Sequence, residues 1–176
     1  MHGIQIMSYI QGKLRCSKRI RLTNSCTGIT HHSDQFYVGS KNGLFVYNMD
    51  GILVQKLYSR CLYNVAVRDD GRRVYCSGKN CLVTLDETGI TLSILKEPVE
   101  GTTGIIVASN GTVFEICDQL NTVVHIDREG SRMLDTLASH YDEVYCTSVL
   151  AYNKITDRLP VGQRSDDAPI LVLKLM

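Results

Sequence analysis

The chain has 176 residues, 44% of them hydrophobic and 21% charged, which points to one folded unit, or a piece of one, and excludes a disordered or membrane-spanning chain. No apolar run approaches the roughly 20 residues that cross a bilayer as a helix, and the first residues lack a signal-peptide core, so a cytoplasmic protein without membrane contact is expected. Nineteen Lys and Arg against 18 Asp and Glu give a net charge of +1, which offers no general argument for binding nucleic acid.

In chain order, short β-branched runs separated by Gly, Asn and Asp predict strands throughout. The first two cover residues 4–8 and 13–22. Three groups of four follow, at 28–30, 36–40, 43–48 and 52–57, then 64–67, 74–78, 82–86 and 90–95, then 103–107, 113–117, 122–127 and 132–137. The last three cover 148–150, 159–163 and 170–174. No window keeps the i, i+3, i+4, i+7 apolar spacing of a helix. Asp69-Asp70-Gly71 and Asn110-Gly111 mark tight hairpins, because glycine accepts the left-handed backbone that such turns need.

A period organises these strands. Gly12, Gly51, Gly89 and Gly130 are 39, 38 and 41 residues apart, and each closes an apolar run and opens another. Four short antiparallel strands per period of about 40 residues describe propeller blades. The expected fold is all-β: a partial, open-arc β-propeller with three complete four-stranded blades and two incomplete ones. Its units are a half blade at 1–22, blades at 23–57, 58–95 and 96–137, and a last blade at 138–176 without its outer strand. Such an arc reads as a portion of a larger propeller, and its open sheet edges are expected to favour self-association.

The repeats resemble a known family. Cys26-Thr27-Gly28-Ile29-Thr30, Gly43-Leu44-Phe45-Val46-Tyr47-Asn48-Met49-Asp50-Gly51 and Thr103-Gly104-Ile105-Ile106-Val107-Ala108-Ser109-Asn110-Gly111-Thr112-Val113-Phe114 are similar to NHL-type repeats. In particular they resemble the C-terminal propeller of tripartite-motif (TRIM) proteins in an invertebrate, mollusc-like form. The run from Leu159-Pro160-Val161-Gly162-Gln163 through Ala168-Pro169-Ile170-Leu171-Val172-Leu173-Lys174-Leu175 resembles the end of such a propeller. The family's third-strand Asp is present as Asp86 and Asp127, is replaced by Asn48, and has Lys174 in its place in the last blade. The resemblance implies a module that selects a protein or RNA target for a ubiquitin ligase. Ligase activity belongs to a RING finger, whose Cys/His ligands are absent from this sequence.

Few residues carry chemistry of their own. HExxH, GxSxG, P-loop, GxGxxG and EF-hand patterns are all absent, so no enzymatic activity, cofactor or metal is expected. The seven cysteines form no CxxC pair and read as reduced thiols, with only Cys76 and Cys81 able to face each other across a hairpin. His31-His32 point to opposite faces of a strand and suit the surface better than a metal. Asn110-Gly111-Thr112 matches a glycosylation sequon but reads as a turn. A lactonase-like calcium hydrolase would need several oxygen ligands converging on the channel, and only Asn64 and Asp69 lie near an inner strand.

Two binding functions remain. A protein-interaction module would use rim residues of the types that dominate hot spots: Arg60, Tyr63, Arg68, Lys79, Tyr141 and Tyr152. An RNA-binding module would use the basic stretch Lys13, Arg15, Lys18, Arg19 and Arg21, with Tyr9 nearby to stack a base. Strand alternation divides Lys13, Arg15, Arg19 and Arg21 from Lys18. A protein target is favoured, because residues 61–176 carry a net charge of −5 against +6 for residues 1–60.

Overall fold

The computed structural model describes residues 2–96, 101–164 and 169–175. Ala168, part of the C-terminal run that carries the family resemblance, lies outside these, as do Met1 and Met176. Among the described residues seventeen strands form five antiparallel sheets in strict chain order. The first pairs β1 (His2–Ile10) with β2 (Lys13–Leu22). Blade one contains β3 (Gly28–His32), β4 (Gln35–Ser40), β5 (Gly43–Asn48) and β6 (Leu53–Tyr58). Blade two contains β7 (Asn64–Val67), β8 (Arg73–Ser77), β9 (Leu82–Asp86) and β10 (Thr91–Leu95). Blade three contains β11 (Thr102–Val107), β12 (Val113–Cys117), β13 (Thr122–Ile126) and β14 (Met133–Ala138). The last sheet contains β15 (Thr147–Leu150), β16 (Arg158–Gln163) and β17 (Leu171–Lys174). Two single 3-10 turns, at Asp118–Leu120 and His140–Asp142, are the only helical segments among the described residues.

The sheets stand side by side in a propeller-like array, with β3, β7, β11 and β15 as successive inner strands. No comparable contact joins the first sheet to the last among the described residues. The core is four separate seams. Ile20 and Leu22 of β2 meet Phe36, Val38, Phe45 and Tyr47 in the first. Leu44, Val46 and Leu57 of blade one meet Val65, Val74 and Leu85 of blade two in the second. Tyr75 and Leu82 meet Val113, Val124 and Ile126 in the third. Phe114 and Val123 meet Leu159 and Val161 in the fourth. The middle strands β4, β5, β8, β9 and β12 are therefore covered on both faces, which is why apolar residues occupy both faces of each instead of alternating with polar ones, Thr84 and Glu115 being the exceptions inside β9 and β12.

The periodic glycines have a packing role. A Cβ at Gly51 would fall 2.1 Å from Ile20 Cγ2, one at Gly89 would fall 2.4 Å from the Leu57 carbonyl, and one at Gly130 would fall 2.0 Å from Thr84 Oγ1. Each turn between the third and outer strands thus seats against the preceding sheet. The residue that opens this turn closes it with its side chain. Asn48 Oδ1 accepts from the Asp50 and Ile52 amides, Asp86 Oδ1 from those of Thr88 and Ile90, and Asp127 Oδ1 from those of Ser131 and Arg132. The first sheet departs from this pattern: β1 and β2 are long, mostly exposed, and joined by Gln11-Gly12 alone, both with positive φ.

A β-bulge corrects the reading of the basic stretch. Ile6 pairs with Lys18 and Met7 with Cys16, which leaves Ser17 as the extra residue, its hydroxyl donating to the Ile6 carbonyl at 3.0 Å. Cross-strand partners share a face, so Lys13 and Arg15, opposite Ile10 and Ser8, fall on the side of Lys18. Arg19 and Arg21 are left on the other side with Gln5 and Tyr9. Cys76 and Cys81, the two thiols on this hairpin, are both free. Cys76 faces Val83, and Cys81 lies inside the turn.

Candidate functional site

The six rim candidates divide between the two ends of the array. Connections between blades and turns between second and third strands gather at one end, which carries Arg60, Tyr63, Lys79 and Tyr141. Arg68 and Tyr152 lie at the opposite end, and both are engaged internally. Arg68 makes a bidentate pair with Asp70, donating from Nη2 at 2.7 Å and from Nε at 2.9 Å. Beside this guanidinium the Asp70 carboxyl is held down at about 2. The Tyr152 hydroxyl donates to Asp157 at 2.7 Å while its ring packs on the fourth seam. These two side chains stabilise their own turns.

The first end is rigidly built. The Leu62 amide donates to the Ser40 carbonyl at 3.0 Å and the Tyr63 amide to the Ser77 carbonyl at 2.8 Å, while the Leu62 carbonyl accepts from Thr27 Oγ1 at 2.7 Å. The segment bearing Arg60 and Tyr63 is thereby tied to blades one and two at once. Lys79 sits in a turn closed by the Gly78 amide on the Cys81 carbonyl at 2.8 Å. Two clefts flank this turn and share Lys79 and Asn80. One, of about 430 Å³, runs between Arg60, Cys61 and Leu62 on one side and Val83, Ile94 and Lys96 on the other. The second, of about 390 Å³, lies between Tyr63, Thr102, Thr103, Asp118, Gln119 and Arg164. Tyr141 stands apart from both on its 3-10 turn, 87% exposed, with its ring 3.8 Å from that of His140. A capping box formed by Ser139 and Asp142 fixes that turn.

The basic stretch is less concentrated than its sequence. Lys18 donates to Asp50 at 2.7 Å and to the Met49 carbonyl at 2.8 Å, and the bulge sets Lys13 and Arg15 on a different face from Arg19 and Arg21. The residues weighed for other chemistry are dispersed. Asn64 begins β7 and Asp69 lies beyond its far end, about 15 Å of extended chain away, so they do not converge on one ion. Among the described residues no group of three His, Cys, Asp or Glu side chains is placed to hold a metal. His31 packs its ring against Phe36. Asn110 closes the turn it occupies by accepting from the Thr112 amide.

Sequence reasoning missed the apolar floor of the larger cleft. Leu62 and Val83 are 1% and 2% exposed and Ile94 is 47% exposed, and they come from three separate segments. No local pattern signals that they meet.

No protein-family model matches this sequence, and no curated protein does. Solved structures do match in shape. A chain of the nidogen/laminin complex superposes with a TM-score of 0.72 at 10% identity, covering 89% of this chain and 65% of that one. Hydrazine synthase of Kuenenia stuttgartiensis gives 0.71 at 14% identity, over 91% and 47%. The computationally designed Ika4 protein gives 0.68 at 15% identity, over 89% and 97%. This chain thus spans less than two thirds of the first of these and under half of the second. At such identities the likeness defines a class by fold, the β-propeller-like proteins, and carries nothing about activity.

Proposed function

We propose that this chain is a non-catalytic protein-interaction module of the cytoplasm, similar in role to the target-selecting propeller of TRIM-NHL ubiquitin ligases. The observation that carries this reading is the end of the array at which Arg60, Tyr63, Lys79 and Tyr141 gather on short, hydrogen-bonded connections. Arg and Tyr supply much of the binding energy at protein interfaces, and a rigid scaffold spares the entropy of ordering them. The exposed, unbridged thiols of Cys16, Cys26, Cys61 and Cys146 suit a reducing compartment.

RNA binding through residues 13–21 is the competing reading. It is weakened by the pairing of Lys18 with Asp50 and by the division of the remaining cations between two faces. Affinity capture with the full chain separates the two. A bound protein should be lost with Tyr63→Ala or Tyr141→Ala and retained with Arg19→Glu plus Arg21→Glu. Submicromolar binding of single-stranded RNA pools at physiological salt, abolished by the paired arginine reversal, would replace the protein reading with the RNA one.

A further inference from the structure

The geometry points to the larger cleft between blades one and two as a binding site for an acidic peptide segment anchored by aliphatic side chains, an inference that rests on the protein-interaction reading above. Three features carry it. The first is charge. Arg60, Lys79 and Lys96 all line the cleft, and among the described residues no Asp or Glu lines it and no ion pair engages any of the three cations. Among the described lining residues the charged side chains are cations, whereas residues 61–176 carry a net charge of −5. Apolar walls beside these cations concentrate their field on whatever enters.

The second feature is the floor. Leu62 and Val83 underlie the cleft, and half-exposed Ile94, with the partly buried Tyr58 and Cys81, supplies its apolar contact surface. A volume of about 430 Å³ holds two medium-sized aliphatic side chains. The third is the lack of a stacking platform. Among the described residues Tyr58 is the only aromatic side chain of the lining, whereas single-stranded nucleic acid is gripped by successive bases stacked on aromatic rings. The cations would receive carboxylates and the floor would receive Leu, Ile or Val side chains between them. Asn80, also in the lining, adds an amide that could pair with a peptide backbone.

The test uses the full chain and fluorescein-labelled 12-residue peptide pools read by anisotropy. One pool is acidic with two central aliphatic residues, one acidic with Ser at those places, one basic with the aliphatic pair, and a fourth probe is a single-stranded RNA pool. The acidic aliphatic pool should bind at least about tenfold more tightly than the other peptide pools, and more weakly as salt rises. Arg60→Glu with Lys79→Glu should cost about tenfold or more, Lys96→Glu alone about threefold, and Ile94→Ser about fivefold. Unchanged melting temperatures should accompany these exposed substitutions, and Arg19→Glu with Arg21→Glu should leave binding unaltered.

Equal binding of acidic and basic pools, absence of peptide binding, or indifference to the cleft reversals would overturn the inference. Any of these, with affinity capture of a protein still lost on Tyr141→Ala, would leave the interaction reading standing, because Tyr141 lies outside the cleft. Tighter, cleft-dependent binding of the RNA pool would overturn both.

Discussion

Glu115 sits between Val113 and Cys117 on β12, on the face turned towards blade two, and is fully buried. Neither carboxyl oxygen closes a hydrogen bond, and burial pushes the group from its ordinary 4.5 up to about 8, with the Thr102 hydroxyl beside it acting weakly in the opposite direction. Between those two values the unfolded chain is ionised while the native chain keeps the proton. Folding then takes up a proton, so stability falls as pH rises through this window and is level on either side of it. Glu115→Gln removes the effect. Relative to that variant, the native protein should lose about 2–4 kcal/mol of stability between pH 5 and pH 8, measured by urea unfolding at both. A difference independent of pH would show that the carboxyl is solvated. The sequence gives little warning of this site, because Phe114, Glu115 and Ile116 suggest one exposed position, whereas a middle strand has no exposed face.

The turn-opening position behaves differently. There Asn48, Asp86 and Asp127 accept the same kind of amide hydrogen bonds, so the amide in blade one is a substitute of equal function and not a lost feature. The acceptor oxygen is the shared feature, while at Asp86 the Thr88 hydroxyl and the turn amides also hold the carboxyl below its ordinary range. Asn48→Asp should leave the melting temperature nearly unchanged, while Asn48→Ala should cost about 1 kcal/mol by leaving turn amides unpaired.

Among elements, strands and hairpins were well marked in the sequence. β-branched runs fix the strands and Gly-containing turns fix their ends, so most predicted limits lie within two residues of those observed. The bulge in β2 was not legible. It occurs at Ser17, without a glycine, and only cross-strand pairing with β1 reveals that the faces exchange at that point. The cleft between blades one and two was hidden for a related reason. Arg60 and Lys79 stand out by residue type, but the floor beneath them exists only once two blades have packed. The seating of turns has its own test. Gly89 combines a φ of +92° with a backbone carbonyl 2.4 Å from any added Cβ, and neither can be relieved by turning a side chain. Gly89→Ala should therefore cost about 2–4 kcal/mol, whereas Gly12→Ala, with only the Tyr9 hydroxyl at 3.9 Å, should cost less. Chemical unfolding of the two variants checks the order.

Over the whole molecule, stability should follow the seams. β8, β9 and β12 lie between filled seams on both faces, whereas β1 and β2 meet the rest mainly through Ile20 and Leu22. Amide hydrogen exchange should be slowest in β8, β9 and β12 and fastest in β1 and the first half of β2, where few buried contacts oppose local opening. Uniform protection across all five sheets would contradict this order.

The glycine turns also give the array a direction. The turn of each complete blade seats on the sheet before it, as a tenon meets a mortise: on the Ile20 side chain for blade one, on the Leu57 carbonyl for blade two and on the Thr84 hydroxyl for blade three. A methyl, a carbonyl and a hydroxyl make three different seats, so each joint is keyed to its own neighbour and fixes the order of the blades. The stretch from one turn glycine to the next spans the outer strand of one blade and the first three strands of the following one, so the unit set by these joints does not coincide with a blade.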